Sequence, residues 1–484
     1  MLFQTWNFVI FFAVVMAGLA LLRPGLRALW LLAASWYFYG SFNPVFLIFL
    51  IYLSGVDYAI GRGLGRAEKP RYRKLLVTLS VLNGVALLSL FKYANFIVKN
   101  LQMLIDYLAQ HFQFPAYTVP TLAESASAML DALGLNFPLA AAMLLPVGLS
   151  YFTFKSLSYV IDVYRRDLRP ERNILRYSCY LAFFPTVMMG PIDRAGLFLR
   201  QLRHRMVVRP ADVADGISLF ITGLFKKVVL ADTLAVFVNM VYDAPPGQYN
   251  ALTVLFATYG FAWQLYGDFS GYSDMASGIA RIMGFRITLN FNNPYVAVDF
   301  TDFWRRWHIG LSTWFRDYVY IPLGGNRVAS VRLWLNLFIT MVVSGFWHGE
   351  AWNFLIWGAW HGVLCVIWRF FDKAKWYLAI PSIVKQLAVF NLVCFGWIFF
   401  RAKGYGQASG MIRELTGWAD GAQLIPWYAF TLVAAVWLYE LVFASRFRKY
   451  LEPAPVRWAL MTAVIVLIVT VPSSANQKFI YFDF

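Results

Sequence analysis

The sequence predicts an all-α protein whose helices form a bundle that crosses a lipid bilayer many times. Of its 484 residues, 60% are hydrophobic and 14% are charged, whereas soluble domains average about 45–50% apolar and about 25% charged residues. The apolar residues form runs close to the roughly 20 residues that a membrane-spanning helix needs. No polar linker divides the chain into soluble blocks, so we expect one membrane domain over residues 1–484.

The apolar runs give the candidate spans in order along the chain. They lie near residues 6–22, 27–40, 43–60, 75–92, 139–163, 177–192, 215–241, 251–267, 333–347, 351–370, 385–400, 426–445 and 457–472. Several runs are short or contain Gly and Pro, which predicts re-entrant or broken helices buried within protein. We therefore expect about 10–13 spans. The first run follows no basic region and precedes no cleavage site, so it is expected to be a retained transmembrane helix.

The basic residues of the chain lie between the apolar runs and predict its orientation. Residues 62–74, 165–176 and 194–209 are rich in Arg and Lys, which is typical of cytoplasmic loops. Residues 110–137 and 242–250 lack Lys and Arg and are expected outside. Basic cytoplasmic loops and contacts with anionic lipid headgroups therefore explain the net charge of +17. This explanation disfavours nucleic acid as a partner.

Residues 302–318 have the pattern of an interfacial helix. On a helical wheel their aromatic side chains and His308 fall on one face, and Arg305, Arg306 and Arg316 fall on the opposite face. Strong amphipathicity of this kind predicts a helix lying along the membrane surface. His308 would then point away from water, either as a structural histidine or as a polar group that lines a substrate path.

A second histidine-containing segment covers residues 344–362. His348 lies at the end of an apolar run, between Trp347 and Gly349. A neutral imidazole in an apolar setting is a good general base near neutral pH. Trp347 and its neighbouring tryptophans predict either a membrane-interface belt or the wall of a substrate channel. His361 lies deeper in an ordinary apolar stretch and is expected to pack.

Two polar patches interrupt apolar surroundings. Residues 268–274 offer two carboxylates, Asp268 and Asp274, and the hydroxyls of two serines, and residues 185–194 contain two prolines and a glycine. Either patch could line a cavity or stabilise a broken helix, and the two carboxylates could also serve a transporter of sugar or lipid. The three cysteines show no metal-ligand spacing, so no metal site is expected. P-loop, dinucleotide, HExxH and GxSxG motifs are absent, which favours histidine-based acyl transfer.

Several long motifs have a familiar combination of residues. They are LFKYANF at 90–96, LPVGLSYF at 145–152, YVIDVYR at 159–165, GLFKKVVLADTLA at 223–235, GDFSGYSDMASG at 267–278, DFWRRWHIGLSTWFRDYVYIPLGGNR at 302–327 and WHG at 347–349. Together they resemble the membrane-bound O-acyltransferase family, in its bacterial alginate O-acetylation branch. The resemblance covers nearly the whole chain, and motifs of this length are specific.

The resemblance implies a helix bundle around a tunnel that crosses the membrane. The family's invariant histidine corresponds to His348 and its more variable polar position to His308, so both are candidate catalytic residues. Acetyl-coenzyme A is the implied acyl donor, reached from the cytoplasm, and no cofactor is expected to stay bound. The candidate substrate-binding residues are Arg305, Arg306, Arg316, Trp347, Asp268 and Asp274. The arginines would attract donor phosphates or lipid headgroups.

The implied function is O-acetylation of an exported polysaccharide from the bacterial inner membrane. Alginate, cellulose and other exopolysaccharides all remain open as the final acceptor. The expected partners are a periplasmic acetyl-transferring protein and a polysaccharide biosynthesis complex. Two alternatives stay open at this point: peptidoglycan O-acetylation by the same chemistry, and a non-enzymatic transporter of sugar or lipid.

Overall fold

The architecture comes from a computed structural model that describes residues 1–112, scattered positions between 115 and 132, and residues 146–203, 208–471 and 479–480. Over these residues the chain is helical, with one isolated bridge between Tyr249 and Ala422. The α-helices, numbered along the chain, are α1 (Trp6–Leu21), α2 (Pro24–Gly40), α3 (Pro44–Arg66), α4 (Pro70–Leu88), α5 (Ala94–Phe112), α6 (Leu149–Arg165), α7 (Ile174–Ala182), α8 (Ala195–Arg203), α9 (Pro210–Phe225), α10 (Asp232–Tyr242), α11 (Ala251–Ile282), α12 (Phe300–Arg306), α13 (Ile309–Phe315), α14 (Ser330–His348), α15 (Trp352–Phe371), α16 (Lys375–Ala379), α17 (Ser382–Arg401), α18 (Tyr405–Thr416), α19 (Trp427–Ala444) and α20 (Ala454–Thr470). Single π-helical turns occupy Ser89–Tyr93, Lys226–Ala231 and Arg316–Tyr320.

The predicted all-α membrane fold is confirmed. Six helical segments are long and apolar enough to cross a membrane, namely Pro44–Arg66, Pro70–Phe112, Ser330–His348, Trp352–Phe371, Ser382–Arg401 and Trp427–Ala444. The helices α1 and α20 are apolar but shorter. Length and composition thus identify six spans among the described residues, so the expected total of about 10–13 stays a prediction, as do the single domain and the tunnel.

A long central helix, α11, forms the core of the bundle. Most of its residues are buried, and it packs along α9. The two backbones approach closely at paired glycines: a Cβ atom on Gly216 would lie 2.7 Å from the carbonyl oxygen of Gly278. Small residues at such crossings are typical of membrane helices, whose association depends on close van der Waals packing. At this crossing the two helices therefore meet through direct contact between their backbones.

The outermost helices present apolar side chains to the surroundings. In α20 no residue is buried, and Trp458 and Val469 are 72% and 78% exposed. Residues of this kind on the surface of a soluble protein would form an aggregation-prone patch. In a bilayer they contact lipid chains, so the exposed apolar face agrees with the membrane assignment.

One predicted span, residues 177–192, is broken in the structure. The helix α7 ends at Ala182, and the chain continues through turns. Pro185 disfavours a helical conformation at the preceding residue, Phe184. The amide of Phe184 instead donates a hydrogen bond to Ser35 Oγ at 3.1 Å. The broken and buried segment matches the expectation of a re-entrant or broken helix for runs that contain proline.

The predicted interfacial helix over residues 302–318 is also not continuous. The helix α12 ends at Arg306, and α13 begins at Ile309. Between them His308 has a left-handed backbone, with φ of 42°. The single helical wheel drawn through this segment is therefore wrong, because the two halves are rotated relative to each other at the break. The predicted burial of His308 is correct, since its exposed fraction is 1%.

Candidate active site

His348 is the last residue of α14 and lies in an aromatic enclosure. Its side chain is almost completely buried, with 3% exposed. The ring centroids of Trp347, Trp357 and Phe400 lie 4.9, 5.0 and 5.3 Å from that of the imidazole. These rings come from α14, α15 and α17, so three membrane helices converge on one histidine. The surroundings are apolar, as the sequence predicts.

The position of His348 depends on how α14 packs against α15. The two helices are in close contact along their length. A Cβ atom on Gly345 would lie 2.9 Å from the Cα atom of Gly358, and one on Gly358 would lie 2.6 Å from the carbonyl oxygen of Met341. Real Cβ atoms do not approach so closely, and crowding a packed core costs roughly 1–3 kcal/mol. Glycine at both positions therefore brings the last turn of α14, with its histidine, against α15.

His308 occupies the break between α12 and α13, and Asn290 maintains this break. The amide of Ile309 donates to the backbone oxygen of Asn290 at 2.8 Å. The amide of Gly310 donates to the Asn290 Oδ1 atom at 3.3 Å. These bonds replace intrahelical ones, which explains why the helix stops at this point. A left-handed backbone at a non-glycine residue costs of the order of 1–3 kcal/mol and is typical of functional sites.

The same asparagine fixes the tautomer of the His308 ring. The Nδ1 atom of His308 lies 3.0 Å from Asn290 Oδ1. Because Oδ1 already accepts from the Gly310 amide, it is the oxygen, so Nδ1 must carry the proton and donate it. Burial lowers the pKa of the His308 imidazole to about 3, so the ring stays neutral at physiological pH. The Nε2 atom is then an unprotonated acceptor, buried and without a hydrogen-bond partner among the described residues.

Two tryptophans connect three buried histidines into one cluster. The Trp347 ring lies 6.3 Å from His308 and 4.9 Å from His348, measured between centroids. The Trp357 ring lies 5.0 Å from His348 and 4.9 Å from His361. We define the histidine cluster as these five residues. The structure thus brings together His308, Trp347 and His348, three of the candidate site residues from the sequence.

The histidine cluster contains polar atoms that no described residue satisfies. The indole N–H groups of Trp347 and Trp357 are buried and have no acceptor among the described residues, and neither ring nitrogen of His361 has a partner there. A buried donor without an acceptor costs about 1–3 kcal/mol. Such groups are retained where a ligand or water satisfies them. The cluster therefore offers these hydrogen-bonding atoms to a substrate or to ordered water.

The three arginines predicted to bind substrate lie near the break but are not equivalent. Arg305 is exposed. Arg306 pairs with Asp302 at 2.8 Å, and Arg316 pairs with the adjacent Asp317 at 2.8 Å. Arg305 is therefore more available to an incoming anion than Arg306.

Asp268 and Asp274 are held in ion pairs on α11. Lys227 Nζ lies 2.6 Å from an oxygen of Asp268, and Lys226 Nζ lies 2.7 Å from Asp274. Asp268 also accepts a hydrogen bond from the amide of Ile480 at 2.7 Å. Buried carboxylates need such partners. These contacts favour the structural alternative that the sequence left open for this patch.

Two members of the site were not identified from the sequence. Asn290 is 18 residues from His308 along the chain and carries no motif signal. His361 was expected to pack in an ordinary helix, yet it contacts the Trp357 ring that His348 also contacts. Its spacing of four residues after Trp357 is one helical turn, which would have placed the two on one face. That spacing is the only signal that could have been used.

Comparisons with known proteins extend the resemblance. The family model described as MBOAT, membrane-bound O-acyltransferase family, matches residues 168–400, which include both His308 and His348. A probable alginate O-acetylase AlgI of Azotobacter vinelandii is 36% identical over 433 residues, covering 87% of this chain and 79% of that protein. One from Pseudomonas putida is 34% identical over the full length of both chains. The peptidoglycan O-acetyltransferase of Helicobacter pylori is 30% identical over 82% of this chain and 75% of that protein.

The similarity is not confined to a single motif. It extends over most of the chain, and the region matched by the family model contains all five residues of the histidine cluster. All three relatives carry names of acyl-transferring proteins. The chain therefore belongs to the membrane-bound O-acyltransferase family, in the branch of the alginate O-acetylases, and is an acyltransferase.

Proposed function

We propose that this protein is an O-acetyltransferase that takes acetyl groups from acetyl-coenzyme A in the cytoplasm and passes them across the bacterial inner membrane for O-acetylation of an exported polysaccharide. The observation that carries the proposal is the histidine cluster, in which His348 and His308 lie on either side of Trp347. The names of the alginate-branch relatives support acetyl as the group and an exopolysaccharide as the final acceptor. Membership of an acyltransferase family decides against a non-enzymatic transporter.

In the proposed reaction His348 is the general base. It accepts the proton of an attacking hydroxyl while the hydroxyl oxygen bonds to the thioester carbonyl carbon. The carbon–sulfur bond then breaks, and the departing thiolate takes the proton from His348. An ester and free coenzyme A result, and the histidine is restored. Positioned acid–base groups contribute roughly 10²–10⁴-fold to such reactions.

Other members of the site have distinct proposed roles. The Nε2 acceptor of His308 orients the attacking hydroxyl or a bound water. The free indole N–H groups of Trp347 and Trp357 are suited to stabilise the negative charge that develops on the carbonyl oxygen. The apolar rings exclude water and so limit thioester hydrolysis. Arg305 and Arg316 are exposed and attract donor phosphates, while Arg306 keeps this surface in place through Asp302.

The immediate acceptor is a hydroxyl on the outer side of the membrane. We propose that it belongs to a periplasmic acetyl-transferring protein, which then modifies the polymer within a polysaccharide biosynthesis complex. This part rests on the family resemblance. Peptidoglycan is the second candidate for the final acceptor, and it is supported by the similarity to the Helicobacter pylori protein.

The experiment compares acetylation of both polymers in cells. A strain without the gene is complemented with the wild type or with His348→Ala, and membrane abundance is checked by immunoblot. Ester-linked acetyl is then measured separately on exported polysaccharide and on isolated peptidoglycan. The proposal expects acetyl on the exported polysaccharide only with the wild type. If ester-linked acetyl depends on the gene in peptidoglycan only, the second candidate is favoured. If it depends on the gene in neither polymer, both candidates are contradicted.

A further inference from the structure

A buried lysine reaches the carboxyl end of α14, where His348 lies. Lys92 is 8% exposed. Its Nζ atom donates hydrogen bonds to the backbone oxygens of Trp347 at 2.7 Å and of His348 at 3.2 Å. The neighbouring Tyr93 donates from its hydroxyl to the backbone oxygen of Phe346 at 3.1 Å. Two adjacent side chains therefore bind three consecutive carbonyls of the last helical turn.

These carbonyls need partners that the helix itself does not provide. The last four C=O groups of an α-helix have no intrahelical donor, and the helix end carries a partial negative charge. Many helices end with a left-handed glycine that satisfies some of them. In α14 the residue after His348 is Gly349 with φ of −164°, which is extended backbone. The side chains of Lys92 and Tyr93 take over this capping role.

The local backbone turns both side chains toward α14. Residues Ser89–Tyr93 form a π-helical turn between α4 and α5, within one apolar segment. A π-turn inserts an extra residue into a helix, which rotates the following side chains, and such turns are frequent at functional sites. The Lys92 Nζ atom also lies 5.5 Å from the centroid of the Trp347 ring. The lysine thus contacts both the backbone and one ring of the histidine cluster.

We propose that Lys92 and Tyr93 are positioning residues for acyl transfer, which fix the last turn of α14 so that the His348 imidazole and the Trp347 indole keep their relative placement. The proposal rests on the proposed role of His348 as the base. Lys92 contributes a charge-assisted bond, which is stronger than a neutral one. Tyr93 contributes a single neutral hydrogen bond, so its share is smaller.

The test separates a positioning role from the general cost of removing a buried lysine. Inverted membrane vesicles are prepared from a strain without the gene that expresses each variant, and labelled acetyl-coenzyme A is supplied from outside. Apparent kcat, per folded molecule, and KM for acetyl-coenzyme A are measured for Lys92→Met, Lys92→Arg, Tyr93→Phe and the control Lys155→Met. Lys155 is a matched control, because it is 1% exposed and donates to a backbone oxygen, that of Tyr180, at 2.7 Å.

The proposal expects a loss of kcat with little change in KM. Misplacing a reacting group by about 1 Å can cost about 10²-fold, so Lys92→Met should lose at least about tenfold in kcat. Tyr93→Phe should lose less, and Lys92→Arg should recover part of the rate. Lys155→Met should keep its kcat per folded molecule.

Several outcomes would overturn the inference. Equal losses of kcat in Lys92→Met and Lys155→Met would show a general effect of burial, and a change confined to KM would show donor binding instead. If Lys92→Met does not accumulate, Tyr93→Phe decides, because a well-folded protein with wild-type kcat contradicts the role. His348→Ala is included to separate the two hypotheses. Full activity in that variant defeats the proposed function, whereas an inactive His348→Ala beside a fully active Lys92→Met defeats only this inference.

Discussion

A residue that lies far from His308 in sequence sets the tautomer and the orientation of its ring. Asn290 accepts from the ring at 3.0 Å and, through its Nδ2 atom, donates to Ser273 Oγ at 2.9 Å. A catalytic side chain whose orientation is fixed by a second polar group is a general arrangement in active sites. The local sequence around His308 could predict its burial but not its tautomer, because the tautomer depends on this distant contact.

The contact gives a prediction at the residue scale. Asn290→Ala removes the acceptor for both the His308 ring and the Gly310 amide, so the ring is free to change tautomer. We expect kcat for acetyl transfer to fall by about 10–100-fold, a part of the roughly 10²–10⁴-fold that positioned groups contribute. Asn290→Asp keeps an oxygen in place and should retain more activity. The rates of both variants are measured in inverted vesicles. Equal rates for Asn290→Ala, Asn290→Asp and the wild type would contradict the assignment.

At the scale of elements, the helices agree closely with the apolar runs. The apolar run near 426–445 forms the helix Trp427–Ala444, and the run near 6–22 forms the helix Trp6–Leu21. The length of an apolar run determines whether a helix can span the membrane, so the sequence predicts these helices well. The break after Arg306 was missed because Asn290 and its backbone cause it. The π-turn at Lys92 was missed because no local residue signals an extra residue in a helix.

The crossing of α14 and α15 gives a prediction for these two elements. Gly358→Ala places a Cβ atom against the backbone of α14, so the helices must separate and His348 must move. We expect lower acetyl-transfer activity and a free energy of unfolding reduced by roughly 1–3 kcal/mol. Gly55→Ala in α3 is the control, because a Cβ atom there meets nothing within 4 Å. Thermal unfolding in detergent and vesicle kinetics would check both, and unchanged behaviour of Gly358→Ala would contradict the close packing.

At the scale of the whole molecule, the sequence predicted the membrane fold and the acyltransferase family but not the arrangement of its ends. Phe479 is fully buried against Tyr272 of α11, with ring centroids 5.1 Å apart. The Phe3 ring stacks on the same tyrosine at 4.9 Å. Both contacts join residues that lie far apart in sequence and depend on the assembled bundle, so no local pattern could predict them. Half of the predicted outer loop at 110–137 lies outside the described residues.

The orientation of the whole molecule is a prediction from loop charge. Residues 62–74 should face the cytoplasm and residues 242–250 the outside. Lys69→Cys and Gln248→Cys are each placed in a background without Cys179, Cys365 and Cys394, and intact cells are treated with an impermeant thiol reagent. We expect labelling at position 248 only, with labelling at position 69 appearing after permeabilisation. The reverse pattern would contradict the topology and the cytoplasmic approach of the donor.

In the proposed mechanism, acetyl transfer depends on His348 as the base. It lies at the end of α14 among the rings of Trp347, Trp357 and Phe400. The most direct measurement is the initial rate of labelled ester formation from acetyl-coenzyme A in inverted vesicles, compared between wild type, His348→Ala and the surface control His111→Ala. We predict that His348→Ala, at wild-type abundance, loses at least about 10²-fold in rate, while His111→Ala is unchanged. Wild-type rates from a normally abundant His348→Ala protein would contradict the mechanism.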